Sequence, residues 1–276
     1  MVDIVPEITK ESIINLAVND KREDGRELDE YRDISIETDV ISKAEGSARV
    51  KIGDTQVIVG IKPQIGAPFP DTPDLGVLMT NCEMLPMADP TFEPGPPSED
   101  SIELARVVDR GIRESELVDL DKLCVEEGKH VWMLFIDLHI IDNCGNLFDA
   151  CELAVMAALK STKLPSASIA DDEVVLDHEN TIDLPINNEV AMCTFVKIGD
   201  KLILDPTLNE EKVASARLNV GVTKDGNICA MQKGGISPLT KEDIFYCVDK
   251  AVSKTKELVE YLSLIHISEP TRRSYI

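Results

Sequence analysis

The chain is poor in aromatic residues and in basic charge. Phe, Trp and Tyr make up 4% of its 276 residues while 43% are hydrophobic, so its core has to be aliphatic. Lys and Arg number 28 against 51 Asp and Glu, a net charge of −23. Such a surface repels nucleic-acid phosphates over most of its area, so contact with them has to come from a local basic spot or a more basic partner. The same charge keeps a protein soluble with no partner at all. No hydrophobic run approaches the length of a membrane helix, and the N-terminus lacks a signal-peptide pattern. The seven cysteines form no C-x-x-C pair, and several, such as Cys151 and Cys193, lie in apolar runs. They read as reduced core residues of a cytoplasmic protein and give a zinc site little support. His130, His139 and His178 are isolated from one another. His139 reads as a satisfied core histidine in an apolar strand, and "DHE" at Asp177 as a turn. A Walker loop, a dinucleotide-binding glycine loop and a Ser/His/Asp arrangement are all missing. No metal or cofactor is expected.

What the chain does have is a near-repeat. "KIGDTQVIVG", Lys51 to Gly60, and "KIGDKLILDP", Lys197 to Pro206, start 146 residues apart. A Gly-Asp turn before a β-rich run is a common hairpin, so coincidence is one reading and an old duplication the other. The pattern along the chain favours duplication. "ITKESIINLAVND" reads as a helix capped by Thr9 with Ile13, Ile14 and Ala17 on one face. A charged arm, "KREDGRELDEYRD", leads to strands at 34–40, 48–52, 55–61 and in "GVLMTNCEM". A loop dense in proline and acid, "ADPTFEPGPPSEDS", precedes a helix. On it Leu104, Val107, Val108, Gly111 and Ile112 form a stripe at i, i+3, i+4, i+7 and i+8. "HVWMLFIDLHIID" reads as a central strand and "LFDACELAVMAALKS" as a helix buried on more than one side. From Asp172 the pattern restarts and closes with a helix over 241–261. Strands then helix, twice over, predicts an α+β fold in two similar domains, with Gly53-Asp54 and Gly199-Asp200 at equivalent turns. The domain boundaries are an N-terminal helix and arm at 1–30, a first domain at 31–166 and a second at 167–261. The last stretch, 262–276, breaks the helix's character. Its first eleven residues, Leu262 to Arg272, resemble a translated sequencing-library adaptor. The stretch is therefore set aside as non-native, His266 with it, with no packing role expected.

"REDGRELDEYR" (22–32), "GSARVKIGDTQVIVGIKP" (46–63) and "DNCGNLFDACELAVMAAL" (142–159) resemble RNase PH-type proteins, phosphorolytic 3′-to-5′ exoribonucleases and their inactive relatives. "PPSEDSIELARVVDRGIRES" and "ILDPTLNEE" narrow the resemblance to the non-catalytic RNase PH-like subunits of the archaeal exosome. It runs from about Ile8 to Tyr261, with several motifs in the right order. It implies an RNase PH-like fold of two tandem domains, each a mixed β-sheet packed against helices. It also implies a catalytic sister subunit, with three such pairs in a hexameric ring, RNA-binding cap subunits, and single-stranded RNA threading to the sister's active site. Membrane and DNA are not implied.

Phosphorolysis needs a positive cradle for phosphate, a carboxylate to handle a proton or hold magnesium, and a path for a single strand. The resemblance implies basic residues just before the helix at 102–115. Here those positions read "PSEDS", and the carboxylates of Glu99 and Asp100 repel phosphate. For the acids, "VVLDHENTID" offers Asp177 and Asp183 at the spacing of active members. Anchoring on "EVAM" instead puts Thr181 and Asn187 at those positions. The anchored register is preferred because strands tolerate gaps less than loops do. No catalytic residue is therefore assigned. Arg106, Arg110 and Arg113 lie at i, i+4 and i+7 on one helix. Read from the residues alone they are ion-paired with Glu103, Asp109, Glu114 or neighbours. The resemblance implies instead that Arg106 and Arg110, and less strongly Arg113, hold RNA phosphates at the sister's site, a task that suits the planar guanidinium fork. Two other readings stay open: an exoribonuclease active alone, and an acidic assembly module without RNA contact.

Overall fold

Both Gly-Asp pairs turn tight hairpins. Gly53 (φ 57°) and Gly199 (φ 61°) sit in the left-handed region. Each is the first of two residues joining antiparallel strands, β2 (Gly46–Ile52) to β3 (Thr55–Gly66) and β9 (Val190–Ile198) to β10 (Lys201–Leu204). Glycine costs least at such a position, and the turn twists with the strands. The computed structural model describes residues 6–170 and 173–264. Its first sheet runs β1 (Ile34–Thr38), β2, β3, β6 (His130–Asp142), β4 (Val77–Met84), with the short β5 (Cys124–Glu126) also on β6. It is mixed, since β4 runs parallel to β6. The second runs β10, β9, β11 (Ala216–Thr223), β12 (Ile228–Gly235), antiparallel throughout.

The expectation of equivalent turns is corrected here. In the first sheet both strands of the hairpin are interior; in the second only the strand before the turn is, and the one after it lies at the edge. The turn is local chemistry, but whether both arms go inside depends on cover. In β9, Val190 to Val196 are all buried, so this strand needs neighbours on both edges and layers on both faces. β10 has four residues and takes the edge.

The layers stack as first sheet, helices α2 (Glu99–Glu114) and α3 (Leu147–Ser161), second sheet, helix α5 (Lys241–Leu264). Every α3 residue from Phe148 to Leu159 is buried, because α3 lies between β2 and β3 on one side and β9 on the other. Gly46 makes this approach possible: a Cβ there would stand 2.0 Å from Thr162 Oγ1 and 2.6 Å from the Ala158 carbonyl. A two-stranded ribbon, β7 (Lys163–Ala170) with β8 (Glu173–Asp183), joins the halves. Among the described residues no helix is long and apolar enough to cross a membrane.

Three local expectations change. Helix α1 (Glu7–Val18) starts at Glu7 behind Pro6, whose carbonyl accepts from Lys10 N, so Thr9 lies inside the helix and caps nothing. Proline at the N-cap has no side-chain acceptor, so the helix starts without a side-chain cap. Helix α5 runs past Tyr261, and Leu262 is 1% exposed in the core, continuing the stripe of Thr255, Leu258 and Val259. The first residue of the segment set aside as non-native is thus a packing residue. Residues 265–276, His266 included, lie outside the described residues. The charged arm, finally, is tied down. Arg22 is buried and donates to both oxygens of Glu210 (2.9 and 2.6 Å), while Arg26 and Arg32 close on Asp205 at 2.8 Å each.

Candidate nucleic-acid interface

Helix α2 begins where Ser98 accepts from Ser101 N (3.2 Å), with Glu99 and Asp100 in its first turn and Arg113 in its last, all favourable to the helix dipole. The stripe expected from the spacing is buried: Leu104, Val107, Val108, Gly111 and Ile112. The opposite face carries the three arginines, and the structure separates them. Arg113 is ion-paired with Asp109 (3.0 Å) and also donates to the Leu78 carbonyl (3.3 Å). Arg110 has a neutral partner, Gln232 Oε1 of β12, at 3.3 Å. Arg106 is exposed and makes no hydrogen bond or ion pair among the described residues.

Of Glu103, Asp109 and Glu114, the last makes no ion pair among the described residues, and the other two are engaged elsewhere. Glu103 pairs with Arg217 of β11 at 2.7 Å, and that guanidinium stacks 4.3 Å above the Phe148 ring. Asp109 is held by Arg113 and by Thr80 Oγ1 (3.2 Å). The ion-pair reading of the stripe therefore holds for Arg113 and fails for the exposed Arg106 and the half-buried Arg110, which have no carboxylate partner among the described residues.

The acidic candidates are elsewhere. Glu99 and Asp100 are exposed at the start of α2. Asp177 and Asp183 lie on the exposed β8, opposite Ser166 and Lys163, with a bulge after Asp177. Asp177 accepts from Asn180 Nδ2 (2.6 Å) and Glu179 N (2.9 Å), and the Asn180 bond holds its carboxyl below the usual range. Thr181 faces solvent opposite Pro165, and Asn187 N donates to the Leu117 carbonyl (2.8 Å). Among the described residues none of these four bonds to the three arginines. His139 is not a core histidine. It points to the open face of β6, with Nδ1 3.4 Å from Glu83 Oε2. From Met133 onward the strand's fully buried apolar residues, Leu134, Ile136, Leu138 and Ile140, alternate with it on the other face. His178 is exposed in the β8 bulge.

Sequence reasoning missed the buried polar residues behind α2. Asp149 is fully buried and accepts from Tyr31 Oη (2.7 Å), Asn146 Nδ2 (2.9 Å), Thr194 N (3.1 Å) and Thr194 Oγ1 (2.6 Å). Burial pushes it up to about 7 while these bonds pull it down. Glu152, one turn on, is buried, neither carboxyl oxygen has a hydrogen-bond partner among the described residues, and burial raises it well above the ordinary glutamate range. It packs flat on Gly111, where a Cβ would stand 2.6 Å from Glu152 Oε1. A mid-helix glycine weakens a helix by about 0.5–1 kcal/mol, and this contact accounts for it. The signal available in the sequence was two acids inside an otherwise apolar helix, which requires a partner or a neutral carboxyl.

Residues 30–165 match domain 1 of the 3′ exoribonuclease family, RNase PH, and residues 188–254 match its domain 2. The exosome complex component Rrp42 of Methanothermobacter thermautotrophicus is 62% identical over 260 residues, 94% of this chain and 96% of that protein. Its counterpart in Methanocella arvoryzae is 52% identical over 260 residues, 94% and 97% of the two chains. A chain of the Archaeoglobus fulgidus exosome with RNA bound to the active site has a TM-score of 0.85 at 46% identity, over 92% of this chain and 97% of that one. Rice Rrp46, at 18% identity and a TM-score of 0.67 over 88% of this chain and 98% of its own, shares the fold. With both family domains in order and relatives this similar along nearly its whole length, the chain belongs to the 3′ exoribonuclease family, as an RNase PH-like subunit of the archaeal Rrp42 type.

Proposed function

We propose that this chain is a non-catalytic subunit of an exosome ring that binds RNA for a catalytic sister during 3′-to-5′ phosphorolytic degradation. One observation carries the proposal: α2 presents Arg106 and Arg110 without a carboxylate partner, while its own start, where a phosphate cradle belongs, carries Glu99 and Asp100. A guanidinium facing solvent with no counter-charge is free to grip a backbone phosphate through two parallel hydrogen bonds. Gln232 orients Arg110, and Arg106 reaches further along the same face. Arg113, neutralised by Asp109, has the smaller share. The partners are the sister, in a heterodimer repeated three times round the ring, together with cap subunits and single-stranded RNA. In support, the Archaeoglobus relative comes from an exosome with RNA at its active site.

The alternative, catalysis by this chain alone, rests on Asp177 and Asp183. Both lie on an exposed ribbon, and Asp177 is engaged in its own turn. Incubating the purified chain with poly(A) and inorganic phosphate, with and without the sister, decides between the two. Nucleoside diphosphate is expected only from the mixture; release by the chain alone refutes the proposal.

A further inference from the structure

The loop between β4 and α2 encloses a groove of about 870 Å³. Its floor is apolar, built from the half-buried Met84, Leu85 and Phe92. The prolines of "EPGPP" form one wall, and the exposed Glu83, Glu93 and Asp100 stand on the rim. The groove is set before anything enters it. Asp89, buried beneath, accepts from Thr91 N (2.8 Å), Thr91 Oγ1 (2.7 Å) and Asn143 Nδ2 (3.0 Å), which ties the loop's base to the turn before α3. Proline fixes φ in the free part of the loop, so little chain entropy is lost on binding.

The rim's charge is not compensated. Glu93, Glu99 and Asp100 make no ion pair among the described residues, and Glu83 faces His139 at 3.4 Å. The α2 N-terminus supplies only about half a positive charge against these four carboxylates. RNA phosphate is excluded, and so is a second copy of a chain carrying −23. A bare cation leaves the apolar floor uncovered. What fits is a protein segment with a Lys or Arg beside an apolar side chain.

We propose that this groove docks such a basic, apolar-flanked segment of the catalytic sister subunit. The choice of the sister rests on the function proposed above. Ser98, at the groove's end, caps the helix on which Arg106 lies about 12 Å further along at 1.5 Å per residue. A sister that receives Arg106 therefore stands over the groove. One helix then does two jobs: its acidic first turn holds the partner, and its basic second half meets the RNA the partner carries.

The test uses the full chain, with co-purified sister as the probe. The affinity of the pair is measured by sedimentation for the wild type and for Glu93→Lys with Asp100→Lys, across a salt series. Hydrogen exchange is followed on the wild type alone, with the sister, and with poly(A). The double variant is expected to bind the sister at least tenfold more weakly and with less salt dependence, and the amides of Phe92, Glu93 and Gly95 are expected to slow on pairing. Unchanged affinity in the variant, unchanged exchange in this loop, or slowing by poly(A) alone each overturns the proposal and leaves the proposed function standing. Should the wild type itself not bind the sister, the proposed function fails, and this inference with it. Exchange reads the wild type, so a folding defect in the variant does not blunt the test.

Discussion

Removing the two uncompensated guanidiniums should weaken RNA handling and leave the fold nearly untouched. Arg106→Ala removes no hydrogen bond or ion pair among the described residues, and Arg110→Ala removes one hydrogen bond to a neutral amide at 3.3 Å. Alanine is the better helix former, so the stability of the double variant should change by no more than about 1 kcal/mol. The effect on RNA is larger. A charge-assisted hydrogen bond contributes about 1.5–3 kcal/mol. Taking the lower figure once, to allow for solvent screening at an exposed site, still gives about tenfold. Each lost phosphate contact should also lower the salt slope of single-strand binding by about 0.7, hence by about 1.4 for the pair. Arg113→Ala is the internal control. It breaks an i,i+4 pair worth about 0.3–0.5 kcal/mol and should change RNA decay little. Single-turnover decay of poly(A) by the mixed ring, RNA affinity across a salt series, and gel filtration would be measured on the same preparations. An intact ring with unchanged affinity, slope and rate refutes the reasoning. So does an Arg113→Ala ring as slow as the double variant, since Arg113 has a carboxylate partner and the other two have none among the described residues.

Other outcomes follow from the buried contacts. Asp205→Ala leaves Arg26 and Arg32 facing each other beside a buried site and should cost about 3–5 kcal/mol in urea unfolding; a loss under about 1 kcal/mol would show the arm to be incidental. Burial pushes the Asp205 carboxyl up, but the bonds and charge of Arg32, with Asn146, outweigh it and hold it below its ordinary value of 3.8, so this stability is present above that value and lost as pH falls through the folded one. Glu152 has the opposite sign: with its value raised above 4.5 by burial, its contribution is full below 4.5 and is lost as pH rises through the folded value. Glu152→Met should therefore melt higher than the wild type in alkaline buffer, and identical pH profiles for the two would reject a buried neutral carboxyl. Gly111→Ala should destabilise by about 1–3 kcal/mol despite alanine's helix propensity, and Glu152→Ala in the same chain should recover most of the loss. Leu262→Ala should cost about 2 kcal/mol, at the low end for a buried leucine because it lies in a helix's last turn; no change in melting temperature would place this residue outside the fold's packing.

What could be read in the sequence divides by how far apart the deciding groups lie. The two hairpins were legible because glycine in the left-handed region and a two-residue turn are contained in the turn itself. Their unequal places in the sheets were not, because cover on both faces of β9 comes from α3 on one side and α5 on the other. The stripe of α2 was legible as a helical period, and so was the presence of arginines opposite it. Which arginine stays free was not. That depends on Arg217, 114 residues away, drawing Glu103 aside, and on Asp109 settling with Arg113. The arm shows the same rule from the other side. Arg22, Arg26 and Arg32 look in sequence like a solvated charge run, and they are buried or half-buried because Asp205 and Glu210 return to them from at least 173 residues away. An acidic chain with few cations has few arginines to place. Among the described residues most settle on carboxylates of their own chain, and the two on α2 that do not are the ones proposed above to meet RNA.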